Sequence, residues 1–455
     1  MNLGRKDTSL NSREQSRLSN SVDSILLIDR NYIGRKSMSG GKYEVGQPAV
    51  IRSRMTIYAG SSAAVEVPLA RQLVSACAKL RSLLPARPIG RIAVVWLLVA
   101  LSTVASIAGE RPVAMRAQGV IYTGGEINGD HVSGQMQTFY ELPAGPPKPH
   151  HYPIVFIHGS RLTGSGFFGT PDGREGWATW FLSRGWPVYV VDQPGKGRSG
   201  YFPNAYGVHG HDPSRRQVAE RFTAPEKIDP NAWPTAHLHT QWPGSGLPGD
   251  PIFEQFFASE VANMPDVRMQ YALTLRAVTQ LLQRIGPAVI VTHSQAGPLS
   301  WMIAQANPKL VKAIIAVEPT GNANRAGKAP AVRCGITIDC LDFTPALPSA
   351  QALDLVRRRM PRSMGVDCWL QRSSRYRLPW LNGIPILIAT GEASYHAGQD
   401  YCTSAFLTQA GVANDYIYLP DVGIRGNGHM QMIEKNNLTI AAYYERWLLD
   451  RFSNH

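Results

Sequence analysis

The stretch Ala288-Val-Ile-Val-Thr-His-Ser294-Gln-Ala-Gly297 constrains this chain more than any other. An apolar, β-branched run stops at a serine, and a helical pattern opens at once behind a glycine. The order is strand, sharp turn, helix. A serine at such a turn has its hydroxyl pushed out of the backbone, within reach of a substrate. The common form is G-x-S-x-G. Here Thr292 replaces the first glycine and Gly297 keeps the second, so the helix that follows can pack close. The competing reading of Ser294 is a buried helix N-cap, and the rest of the chain has to decide between them.

Around this stretch the sequence alternates strands and helices. A hairpin is predicted from 119–123 and 136–142. Buried strands follow at 154–157, 187–191, 288–293, 311–317, 385–389 and 416–419. Helices are predicted at 177–184, from Pro265 to about Arg284, at 297–306, at 399–410 and at 432–452. Runs that are apolar on both faces belong to parallel strands covered by helices. The predicted class is α/β: a mostly parallel twisted sheet flanked by helices, with function at the carboxyl ends of the strands. Residues 201–265 break the rhythm with Pro, Trp, His and Gly, and read as an inserted cap. A second irregular region covers 322–382.

The polar residues that stand out fall just after predicted strands: His158-Gly159, Ser294, Glu318 and His429. A serine hydroxyl needs a base within hydrogen-bond reach. His429, in a Gly-rich loop after the last strand, is the candidate base. A carboxylate must fix the imidazole's tautomer, and Glu318, Glu392 and Asp400 all follow suitable strands. Ser, acid, His in that order is the chain order of α/β-hydrolases. His293 reads as packing beside the nucleophile. An oxyanion hole takes one backbone N–H from Gln295 and one from the loop after Gly159, from Arg161 or Leu162.

Several blocks resemble a branch of secreted bacterial α/β-hydrolase esterases: His158-Gly, Thr170-Pro-Asp-Gly-Arg174, Val190-Val-Asp-Gln-Pro-Gly-Lys-Gly-Arg-Ser199, His293-Ser-Gln-Ala-Gly297, Val317-Glu-Pro319 and Gly426-Asn-Gly-His-Met430. The resemblance spans about 115–453. It implies Ser294 as nucleophile, His429 as base and the Glu of V-E-P, Glu318, as acid. Some members of the branch carry adjacent cysteines in the oxyanion loop, where this chain has Ser160-Arg161. The expected activity is cleavage of carboxylic esters through an acyl-enzyme. A lactonase or amidase with the same triad, or a hydrolase-like protein that only binds a ligand, are the alternatives. Phe167, Phe168 and Trp177 are candidates for pocket lining. No cofactor or metal is expected.

The chain has 455 residues and a net charge of +13, but residues 1–110 hold 15 Lys/Arg against 7 Asp/Glu. The excess sits in that segment, and no basic stripe interleaved with aromatics follows, which argues against nucleic acid as a partner. Arg357-Arg358-Arg359 reads as a solvated helix face. Residues 1–86 read as disordered or as an over-extended start, with Met55 an alternative initiator. Residues 87–108 read as a signal peptide, with a basic flank, an apolar run from Ile92 and small residues up to Ala108. The same run, kept as an anchor over 92–107, is the one route by which a membrane enters. The expected domain is 109–455, exported to the periplasm or medium; the partner is a small ester, and a homodimer is left open. Export suits the cysteines beyond that segment, which are expected to pair as Cys334–Cys340 and Cys368–Cys402.

Overall fold

A computed structural model describes residues 113–453 apart from 230, 322 and 325–333. The readings for 1–86 and for the leader or anchor at 87–108 lie outside the described residues. Among the described residues eleven strands occur in chain order: β1 (Met115–Asn128), β2 (His131–Pro143), β3 (Ile154–Ile157), β4 (Val188–Asp192), β5 (Ala288–His293), β6 (Val311–Val317), β7 (Ala323–Asn324), β8 (Leu355–Arg359), β9 (Asp367–Gln371), β10 (Ile386–Thr390) and β11 (Asp415–Tyr418). The principal helices are α1 (Trp177–Ser183), α2 (Pro251–Ala258), α3 (Val267–Ile285), α4 (Gly297–Ala306), α5 (Asp400–Gln409) and α6 (Asn437–Ser453).

Eight strands form one sheet in the order β1-β2-β4-β3-β5-β6-β10-β11. From β4 to β11 every pairing is parallel, and the β1–β2 hairpin joins antiparallel through β2. Alternation along each strand divides the core. Val155, Ile157, Ile290 and Ile314 face one apolar layer with α3 and α4. Ile154, Phe156, Val289 and Ile315 face the other with α1 and α6. Full burial of each such side chain contributes about 1.5–3 kcal/mol, which fixes the strands and so the positions of their carboxyl ends. This is the α/β-hydrolase fold.

Four local expectations need correction. The hairpin does not open into a loop at the glycines; β1 runs on to Asn128, and Gly124, Gly125 and Gly134 adopt positive φ that lets the ribbon coil over α3. Helix α3 starts at Val267 rather than Pro265, because the Asp266 side chain accepts from the N–H groups of Arg268 and Met269. Helix α6 starts at Asn437 rather than 432, because Gln431 and Glu434 are drawn into the site described below. Arg357–Arg359 is not helical: these residues lie on β8, antiparallel to β9, with Arg357 and Arg359 both on Asp367. Strands β7, β8 and β9 make a small separate sheet in the second irregular region. Disulfides join Cys334 to Cys340 and Cys368 to Cys402. Among the described residues no helix is long and apolar enough to cross a membrane.

Candidate active site

The carboxyl ends of β3, β5, β6, β10 and β11 meet at one cleft of about 550 Å³, lined by Ser294, His293, His429, His396 and Tyr395 among others. Ser294 stands directly after β5 with φ of 56° and is 9% exposed. That left-handed turn is crowded. A Cβ on Gly159 would lie 2.9 Å from Ser294 Cβ, and one on Gly297 would lie 2.3 Å from Pro319 Cβ. Thr292, in place of the usual first glycine, is accommodated because its hydroxyl hydrogen-bonds Ser300 Oγ at 2.6 Å.

Glu318 follows β6, also at positive φ, 47°. Its Oε2 is 2.5 Å from His429 Nδ1 and accepts from Ser394 Oγ at 2.5 Å. Its Oε1 accepts from Gly391 N at 2.7 Å and Gln431 Nε2 at 3.0 Å. Burial raises the Glu318 pKa, while His396, Ser394, Gly391 and Gln431 draw it down. Burial holds His429 well below the usual imidazole value, helped by the positive fields of His396 and Arg221. The ring is therefore neutral at rest. Its Nδ1 proton is directed to Glu318, and its Nε2 faces the cleft.

The other candidate acids point elsewhere. Asp400 Oδ1 is 2.8 Å from His396 Nδ1, and its Oδ2 accepts from Thr390 Oγ1 at 2.8 Å. Glu392 accepts from Gly426 N at 2.7 Å and from Arg425 at 3.0 Å. Glu434 accepts from Gly428 N at 2.8 Å, from Asn427 Nδ2 at 2.7 Å, and pairs with the buried His239 at 2.9 Å. Glu392 and Glu434 hold the Gly426–Gly428 loop from two sides, which explains why Met430–Asn436 stays out of the helix.

His158 is structural. Its Nε2 accepts from Gln193 N at 3.1 Å, so the proton sits on Nδ1, which donates to Gly159 O at 2.9 Å. Arg161, at φ of 61°, gives its N–H to Asn263 Oδ1 at 2.9 Å. The N–H groups of Ser160 and Gln295 have no acceptor among the described residues, and Leu162 closes the turn over Ser160–Arg161. Asn263 also donates to Ser160 Oγ at 2.8 Å and accepts from the buried Lys196 Nζ at 2.6 Å. His293 packs under the site, with Nε2 bonded to His429 O at 3.0 Å.

Sequence reasoning missed Tyr395, whose hydroxyl is 3.2 Å from His429 Nε2 and also bonds the Ser294 side chain. It missed His396 as well, stacked on His429 with centroids 4.8 Å apart. The signal was present: both follow the predicted strand ending at Ala389, and His396 and Asp400 stand at i,i+4. Phe167 lines a separate apolar cavity of about 240 Å³, which shares Leu162 with the cleft. Trp177 is core, edge-on to Tyr444, and Phe168 packs against Phe139. Among the described residues no three His, Cys, Asp or Glu side chains gather as a metal site requires.

No family model matches the chain. A solved novel bacterial esterase aligns over 75% of this chain and 98% of its own, with a TM-score of 0.50 and 22% identity, a likeness of fold. The "Probable secreted lipase phiG" of Fungal sp. (strain ATCC 74256) is 41% identical over 327 residues, which cover 70% of this chain and 88% of that relative. A match of that extent shows the family: the chain belongs to that of this fungal lipase, on the α/β-hydrolase fold.

Proposed function

We propose that the protein is an exported serine hydrolase of carboxylic esters, with Ser294 as nucleophile, His429 as base and Glu318 as acid. The observation that carries this reading is the 2.5 Å contact of Glu318 with Nδ1 of a neutral His429 whose Nε2 faces the cleft that holds Ser294. Ser294 Oγ attacks the ester carbonyl carbon as its proton passes to His429 Nε2. The charge on the carbonyl oxygen is met by the N–H of Gln295 and by N–H groups of the Ser160–Leu162 loop; Arg161 N–H joins them only where that oxygen replaces Asn263 Oδ1. The C–O bond to the alcohol breaks, and His429 returns the proton to the leaving oxygen. Water then takes the alcohol's place, its proton passing to His429 as it attacks the acyl carbon, and Ser294 leaves with that proton. Glu318 stabilises the imidazolium at each stage and stays ionised.

Residues 201–265 act as the cap. Gln217, Arg221, Phe222 and Asn263 of that segment line the cleft, and Phe222 stacks on His429 with centroids 5.5 Å apart. The apolar cavity behind Leu162 suits the hydrocarbon part of a substrate. The V-E-P position of Glu318 agrees with the esterase branch that the sequence resembles, and two disulfides and a secreted relative support export. Ser294→Ala should abolish hydrolysis of p-nitrophenyl butyrate and labelling by a fluorophosphonate. Retained turnover in that variant would overturn the assignment.

A further inference from the structure

The cleft in front of Ser294 is lined by two arginines and, among the described residues, by no Asp or Glu. Arg161 comes from the loop after β3. Arg221 comes from a π-helical turn, Ala219–Thr223, within the segment between β4 and α3. The Arg221 guanidinium lies 4.6 Å from the Tyr395 ring, whose hydroxyl is 3.2 Å from His429 Nε2. One aromatic ring therefore separates a cation from the reacting atoms. Arg221 forms no ion pair with a carboxylate among the described residues, and the head of Arg161 donates to the neutral Gln217 at 3.1 Å.

The groups behind the Arg161 side of this face do not oppose its charge. Glu260 is the acidic group that acts on Arg161 and Lys196. Its carboxylate oxygens are buried without hydrogen-bond partners, and burial pushes its pKa up to about 8, so near neutral pH it is mostly uncharged. Burial brings Lys196 down to about 7. The imidazoles of His429 and His293 are held neutral by burial. What remains is a pair of planar, five-donor cations opening on the cleft, the side-chain chemistry that best matches a carboxylate. A purely apolar ester gains nothing from them.

We infer that the cleft recognises an ester bearing a carboxylate on its acyl or its alcohol portion, held by Arg161 and Arg221 while the ester carbonyl lies at Ser294. This rests on the serine hydrolase reading above and names the substrate class for it. The hydrocarbon of such an ester has the cavity behind Leu162 available, so the two ends of the ligand meet opposite chemistry.

The test pairs esters that differ in charge: monomethyl glutarate against methyl hexanoate for an anionic acyl part, and acetoxyacetate against propyl acetate for an anionic alcohol part. Specificity, kcat/KM, should favour the anionic member of at least one pair by about tenfold or more, the size of a charge-assisted contact. The pair that shows it locates the carboxylate. The preference should shrink with added salt, fall towards unity in Arg221→Gln and in Arg161→Gln/Arg221→Gln, and return in part in Arg221→Lys. Calorimetric binding of monomethyl glutarate to the Ser294→Ala protein, lost on adding Arg221→Gln, reads the same site without turnover. Neutral esters turned over with no charge preference, or a preference that the Arg221 substitutions leave intact, overturn the anion site and leave the hydrolase reading standing. Binding of the anion without hydrolysis of any ester does the reverse.

Discussion

His429 Nδ1 and Glu318 Oε2 lie 2.5 Å apart although 111 residues separate them in sequence. Asp400 and Glu392, which occupy the loop and helix start after β10, are bonded instead to His396 and to Arg425 with Gly426. The fold thus separates the one carboxylate on His429 Nδ1, the acid of the proposed triad, from two that brace its surroundings. Glu318→Gln should lower kcat by roughly 10³–10⁴, as loss of the orienting acid does in serine hydrolases. Asp400→Asn should leave kcat within about tenfold, because its partner His396 only stacks on the base. Steady-state kinetics of the two variants decide the matter: a collapse confined to Asp400→Asn would transfer the role.

In the proposed mechanism only the neutral imidazole of His429 can accept the Ser294 proton. Burial, reinforced by His396 and Arg221, lowers its pKa well below the ordinary value. The acid limb of kcat/KM should therefore lie below the roughly 6.5 of a free imidazole, and Arg221→Gln should move it upwards by removing a positive field. A pH profile with its limb at or above that value would show that the ring is not held neutral.

His158 is wholly buried, and desolvation brings its pKa down to about 4. The unfolded chain protonates it near pH 6.5 and the folded chain does not until about pH 4. The neutral ring thus contributes stability above that window, and the contribution is lost as pH falls through it, by about 3 kcal/mol at the lower end. His158→Gln should be less stable at neutral pH and lose less between those two pH values. Parallel melting curves of wild type and variant would refute this.

Asn263 clamps the oxyanion loop through Ser160 Oγ and Arg161 N–H while Lys196 holds its carbonyl oxygen. Asn263→Ala leaves those groups short of partners and should cost about 1–3 kcal/mol of stability. It should lower kcat more than it raises KM, since in the proposed mechanism the loop meets charge that develops in the transition state. Denaturant unfolding beside steady-state kinetics measures both effects, and unchanged kcat with reduced stability would confine the clamp to folding.

The parallel strands and the residues at their ends were legible because both are local signals: an apolar run, then a polar residue in a glycine-rich loop. What escaped is what only tertiary contact decides. The β1–β2 hairpin continues through its glycines because Gly124 packs against Ala277 of α3, a relation with no mark in the hairpin's own sequence. Helix α6 loses its first turn because Gln431 and Glu434 are more strongly committed to Glu318 and Gly428 than to helical propensity. Arg357–Arg359 carries no apolar alternation to reveal a strand, since pairing with β9 and Asp367 holds it at the surface. Tyr395 and Asn263 act through hydrogen bonds to distant loops, and such bonds leave no periodicity.

Arg161, Ser294 and Glu318 all hold left-handed backbone without being glycine. Each such conformation costs of order 1–3 kcal/mol and persists only where its surroundings over-determine it. Those surroundings come from four separate strand ends, so the three turns have no reason to form in a fragment or a loosely collapsed chain. Ester turnover by this protein is then a reporter of completed folding: during refolding it should appear with the last phase of tertiary assembly, after the helical signal has returned, and on heating it should vanish before the sheet melts.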